Sequence, residues 1–206
     1  MTDASHIASE KEARDVAESA RETEWEHPSF ARELFLGRFR LGLIHPHPAV
    51  DDPAEAARAK PFFDQLRAFL ERFPSEDVDR TGEIPESYVQ ELRDMGAFGI
   101  KIPTEYGGLG LSQLSYVRAM EMVTSKDGSL VALLSASQSI GVPQPLKLFG
   151  TEEQKRKYFP RLAKGAISAF ALTEVDAGSD PANMSTSATP TDDGTHFILN
   201  LSLIHI

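Results

Sequence analysis

A chain of 206 residues with 41% hydrophobic content can bury one good domain or one and a half, and nothing in its composition points to disorder, collagen or a disulfide scaffold. It contains no cysteine, which excludes disulfides, thiolate metal sites and a thiol nucleophile. The formal net charge is −10, half of it within the first 26 residues (three basic against eight acidic), and such a balance argues against general nucleic-acid affinity, which needs clustered Lys and Arg.

Met1–Glu26 is charged, weakly periodic and carries one aromatic, Trp25, so it reads as a mobile acidic extension. It lacks the apolar core of a secretory signal and the Arg-rich character of a transit peptide. No stretch of the sequence approaches the ~20 apolar residues needed to span a bilayer, and a cytoplasmic location is the default expectation. His27-Pro28-Ser29 then opens a short helix, with Pro28 near its first position and Gly37 as its stop. His45-Pro46-His47-Pro48 is a rigid linker or turn.

An amphipathic helix starts near Asp51-Asp52-Pro53. Its Phe62, Phe63, Leu66, Phe69, Leu70 and Phe73 fall at helical spacing, which is the pattern of a core stripe, and Pro74 ends it. Another helix runs from Pro85 through Val89, Leu92 and Met95 to Gly96. Ser112 caps a further one, and Ser129–Ile140 follows as a helix apolar on most sides. Thr151-Glu152-Glu153-Gln154 has capping-box spacing, and Gly165 closes the helix that it opens. The pattern then switches to strands: Ile167–Leu172, Ser185–Thr189 and His196–Asn200, with Asp193-Gly194 as a hairpin turn. Helices followed by strands predict an α+β chain with a boundary near Gly165.

The residues best placed for chemistry lie in Ala169–Asp180. A short strand there runs into a loop holding Thr173, Glu174, Gly178 and Ser179. Strand-end amides and a hydroxyl can hydrogen-bond a flat heterocycle, and Gly178 allows close backbone approach. The string Phe170-Ala171-Leu172-Thr173-Glu174-Val175-Asp176-Ala177-Gly178-Ser179-Asp180 closely resembles the Phe-x-Leu-Thr-Glu-Pro-x-x-Gly-Ser-Asp signature of the acyl-CoA dehydrogenase family. Further matches come in the family's order: Phe98-Gly99-Ile100-x-Ile102-Pro103-x-Glu105-Tyr106-Gly107-Gly108-x-Gly110, Gln138-Ser139-Ile140-Gly141, Leu148-Phe149-Gly150-Thr151 and Pro160-x-Leu162-Ala163-x-Gly165. The resemblance covers roughly Ser29–Asn200. Ser29-Phe30-Ala31, Gln138–Gly141 and Thr186-Ser187-Ala188-x-Pro190 look most like the very-long-chain branch.

The resemblance implies an N-terminal all-α helical domain (27–165), the start of a β-barrel-like middle domain (166–200), and a C-terminal helical bundle missing from this chain. It implies FAD as cofactor, with Phe170, Leu172 and Thr173 against the flavin ring and Ser179 at the acyl-CoA substrate. In the family a carboxylate removes the α-proton of the acyl thioester while the β-hydrogen leaves as hydride to the flavin. That carboxylate belongs to the missing bundle, so no catalytic residue is assigned within this chain. An electron-transfer flavoprotein or similar acceptor and a homo-oligomeric whole enzyme are implied partners. An acyl-CoA oxidase or flavin monooxygenase shares the scaffold, and a non-catalytic helical remnant is the alternative from another class.

Two departures stand out. Val175 replaces the family's Pro, and after Asn200 the match is lost, so residues 201–206 are expected to be a non-native tail on a truncated, inactive fragment. Other features read as structural. Gly107-Gly108-Leu109-Gly110 lacks the spacing of a dinucleotide turn and fits a turn that lets two helices meet closely. Glu174, Asp176 and Asp180 are expected to be solvated or bonded to nearby amides. No His pair has helical metal spacing. Lys155, Arg156, Lys157, Arg161 and Lys164 make a basic helix face that could attract CoA phosphates or an anionic membrane surface, though a solvated face explains it as well.

Overall fold

The computed structural model describes residues 28–46 and 52–203; the expected acidic extension lies outside the described residues, as do His47 and Pro48. The chain separates into two compact units, Pro48–Phe170 and a second formed by residues 1–47 with 171–206.

The first unit is helical. Its longest element, Pro53–Arg72, begins where the Asp52 carboxylate accepts a hydrogen bond from the Ala54 amide at 2.8 Å, with Pro53 at the first position as its fixed φ favours. Phe62, Leu66, Phe69 and Leu70 on this helix are buried, as is Phe73 just beyond it, while Phe63 flanks the same core. The expected apolar stripe is therefore the core stripe. Ser75–Thr81 forms a helix that the sequence reading passes over, although Glu76 and Asp77 in its first turn and Gly82 in a left-handed conformation after it are ordinary helix signals. The expected helices at Glu86–Asp94 and Gln113–Thr124 follow, the latter capped by Ser112.

The helix expected over Ser129–Ile140 is two pieces. An α-helix covers Gly128–Ser135 and continues as one wider π turn, Ala136–Ile140. A further short helix, Pro143–Phe149, went unpredicted because Pro143 and Pro145 mask a seven-residue element. Glu152–Ala163 carries the full capping box: the Gln154 amide donates to the Thr151 hydroxyl at 3.2 Å, and the Thr151 amide to Gln154 Oε1 at 2.9 Å. Its Phe159, Leu162 and Ala163 pack with Ile102 and Leu146 as a second, smaller core cluster.

The other unit holds a short helix, Phe30–Phe35, whose N-cap is Ser29 rather than Pro28, and the hairpin β1 (Ser187–Pro190) and β2 (Phe197–Asn200). The strands pair antiparallel in the register Ser187 with Asn200 through Pro190 with Phe197. Asp193-Gly194 makes the turn, Gly194 having φ +66°. The strand expected at Ile167–Leu172 is absent, because a strand exists only through a ladder and no described segment pairs with it. Of the expected tail, Leu203 forms an isolated antiparallel bridge with Glu174, and 204–206 lie outside the described residues.

Candidate functional site

Within the helical unit, the motif residues tie one segment of chain to the next. Gln138 sits in the π turn and is 2% exposed. Its Oε1 accepts the Ile100 amide at 3.1 Å, and its Nε2 donates to the carbonyls of Ala97 (2.8 Å) and Leu134 (3.2 Å). A wider turn exposes main-chain groups that a regular helix would satisfy internally, and Ser168 meets them. Its hydroxyl donates to the Ser137 carbonyl at 2.9 Å and accepts the Val142 amide at 3.1 Å. A Cβ at Gly141 would overlap the Ser168 hydroxyl and stand 2.7 Å from the Ser137 carbonyl oxygen. The chain beyond Gly165 is thus pinned at Ser168, two residues before Phe170, which ends this unit 55% exposed.

In the other unit the signature continues with Leu172 half-buried, Thr173 exposed and Ser179 exposed. From Ala171 to Thr173 no main-chain amide or carbonyl takes a hydrogen bond among the described residues, nor does the Thr173 hydroxyl. Main-chain amides that run up to an exposed hydroxyl, as at Ala171–Thr173, can hydrogen-bond a flat ligand. Gly178 does not need to be glycine for any close approach within the chain: a Cβ there would make only ordinary contact with Thr173 Cγ2, at 3.7 Å.

Glu174 behaves differently from its acidic neighbours. Asp176 and Asp180 are exposed, whereas Glu174 is 5% exposed. One carboxylate oxygen accepts the Ser185 amide (2.7 Å) and hydroxyl (2.6 Å); the other accepts the Thr186 amide (2.8 Å) and hydroxyl. Four donors stabilise the anion, led by the Ser185 and Thr186 hydroxyls, and hold the carboxyl at about 2, below its ordinary 4.5. With the folded value depressed, the stabilisation is fully present above pH 4.5 and lost as pH falls toward 2. Carboxyl carbon shifts of Glu174 followed by NMR should titrate near 2; a midpoint near 4.5 would show the clamp to be unformed.

The glycine run Gly107–Gly110 is a local reversal. The Leu109, Gly110 and Leu111 amides donate to the carbonyls of Gly99, Ile102 and Ile100, each at 2.9 Å. These amides bond the preceding loop and leave no phosphate cradle. On Glu152–Ala163 the basic face is solvated, with Arg156, Lys157, Arg161 and Lys164 exposed and Lys155 paired to Glu152 at 3.2 Å. No helix of the described residues is long and apolar enough to cross a membrane.

The family model for the acyl-CoA dehydrogenase N-terminal domain matches residues 57–166, most of the helical unit, including Gln138. The chain belongs to the acyl-CoA dehydrogenase family. It is 57% identical over 190 residues to the probable acyl-CoA dehydrogenase FadE10 of Mycobacterium tuberculosis, covering 92% of this chain and 29% of that protein. The very long-chain specific acyl-CoA dehydrogenase, mitochondrial, of Macaca fascicularis is 36% identical over 96% of this chain and 30% of its own length. Among solved structures, an acyl-CoA dehydrogenase complexed with FAD from Bacillus anthracis superposes with a TM-score of 0.58 at 34% identity, over 74% of this chain and 26% of its own. The chain therefore spans about 29% of the length of the acyl-CoA dehydrogenase relatives that it matches.

Proposed function

We propose that this chain is the part of an FAD-dependent acyl-CoA dehydrogenase that holds the flavin edge, and that the whole enzyme oxidises long-chain fatty acyl-CoA to the trans-2-enoyl thioester. The observation that carries the reading is the exposed Ala171–Thr173 edge, whose main chain takes no hydrogen bond among the described residues, set in a family signature loop. The likeness to a family member complexed with FAD supports the cofactor, and the very long-chain relative supports the substrate class.

In this reading Phe170 and Leu172 pack on the flavin and Thr173 hydrogen-bonds it through hydroxyl or amide. Bound FAD supplies the hydride acceptor. Ser179 contacts the acyl-CoA near its thioester. Removal of the α-proton needs a positioned base and stabilisation of the developing enolate oxygen. Glu174 does not serve as that base, being committed to Ser185 and Thr186, and the base is proposed to lie elsewhere in the enzyme. An electron-transfer flavoprotein is the proposed acceptor, the whole enzyme a cytoplasmic homo-oligomer.

Thr173→Val in the flavin-loaded whole enzyme is expected to cost about 1–3 kcal/mol of flavin binding or of transition-state stabilisation, a factor of roughly 5 to 150. Flavin titration and anaerobic bleaching by a long-chain acyl-CoA measure both. Values within twofold of the parent would overturn the placement of the ring. Rapid reoxidation of the bleached enzyme by oxygen would instead mark an oxidase.

A further inference from the structure

We infer that Glu174 is a positioning residue for the flavin edge, acting through Thr173 by clamping the signature loop to the start of the hairpin. The inference rests on the flavin reading of that edge.

Glu174 joins three pieces of one unit. Its carboxylate gathers both donors of Ser185 and both of Thr186, the two residues that lead into β1. Its own amide donates to the Ala177 carbonyl at 2.9 Å, closing the loop on itself. Its main chain bridges Leu203, just past β2. Every side-chain acceptor direction of a carboxylate is therefore used inside the protein, and the neighbouring Thr173 hydroxyl is exposed and has no hydrogen-bond partner among the described residues. The two adjacent side chains divide the work: one is spent on anchoring, the other is presented.

At the next position the family's Pro would restrict the loop through its ring, whereas here Val175 is 73% exposed and imposes no such ring constraint, so the Glu174 clamp is the constraint next to Thr173. A carboxylate suits this better than an amide, because all four donors point inward and a Gln would bring an NH2 group against two of them.

The test is a double-mutant cycle on FAD affinity in the flavin-loaded whole enzyme, with amide exchange at Thr173–Ala177 as a second readout. Glu174→Gln is expected to weaken FAD binding by about the factor that Thr173→Val does, roughly 5 to 150, and to speed exchange across the loop. The double variant should bind FAD no worse than the weaker single, because both changes remove one interaction. Glu174→Asp, which keeps the charge, should recover part of the loss. If Glu174→Gln does not fold, Ser185→Ala with Thr186→Val removes the two hydroxyl donors and is expected to show the same coupling. Multiplying effects in the double variant would overturn the inference while leaving the flavin reading intact, since Glu174 would then act independently of Thr173. Unchanged affinity in Glu174→Gln overturns it as well. A silent Thr173→Val overturns the flavin reading and this inference together.

Discussion

Gly108→Ala is expected to destabilise the helical unit by about 3 kcal/mol or more, read as a lower denaturant midpoint at unchanged slope. A Cβ at this position would overlap the Ile102 carbonyl oxygen and stand 2.5 Å from Ile102 Cβ. Neither neighbour can give way cheaply. Ile102 is 3% exposed and belongs to the smaller core cluster, and its carbonyl already accepts the Gly110 amide at 2.9 Å. Relief would have to come from the main chain, at the expense of the three bonds that fold 109–111 back on 99–102. Gly82→Ala is the control. It carries a positive φ of 73° but nothing lies within 4 Å of its added Cβ, so only the left-handed cost of about 1–2 kcal/mol applies. A loss in Gly108→Ala no larger than in Gly82→Ala would mean that the overlap at Gly108 is relieved by a small shift of its neighbours.

Gln138→Leu is expected to cost about 4 kcal/mol, since two buried main-chain groups lose their partner at roughly 1–3 kcal/mol each and a comparable volume is retained. The Ile100 amide has Gln138 as its hydrogen-bond acceptor, and Ile100 and Ala97 are both 0% exposed. The effect should extend beyond stability: loosening the π turn frees the Ser137 carbonyl that Ser168 grips, so amide exchange at Ser168–Phe170 should rise in the same variant. A variant within about 1 kcal/mol of the parent would show that the turn is held by packing alone.

These two residues stand in motifs that identify the family, and neither touches the proposed flavin edge. The motif strings were therefore legible as a family mark well before they were legible as chemistry. Phe98–Gly110 and Gln138–Gly141 act by fixing main chain to main chain, and the consequence for function is the placement of Ser168 and, after it, Phe170.

The Pro53–Arg72 helix, the capping box at Thr151 and the hairpin at Asp193-Gly194 follow from local rules, and each could be read from a few adjacent residues. Local signals were also present for Ser75–Thr81, where the acidic first turn and Gly82 were overlooked behind Pro74. Other features depend on distant partners. Ile167–Leu172 has the composition of a strand yet forms none, because its amides meet no second strand among the described residues. The three acids at 174, 176 and 180 look alike in sequence, and only the arrival of Ser185 and Thr186 makes one of them a buried anchor.

By itself, then, the amino-acid order determined the family, the helical spacing of the core and the loop in which a flavin edge should be sought, since periodicity, capping and signature strings act over a few residues. The tertiary structure alone decided that Gln138 is a tie, that Gly108 must lack a side chain and that Glu174 is clamped while Thr173 is presented. Those outcomes turn on hydrogen bonds and overlaps between residues that are close in space and, for most of them, well separated along the chain.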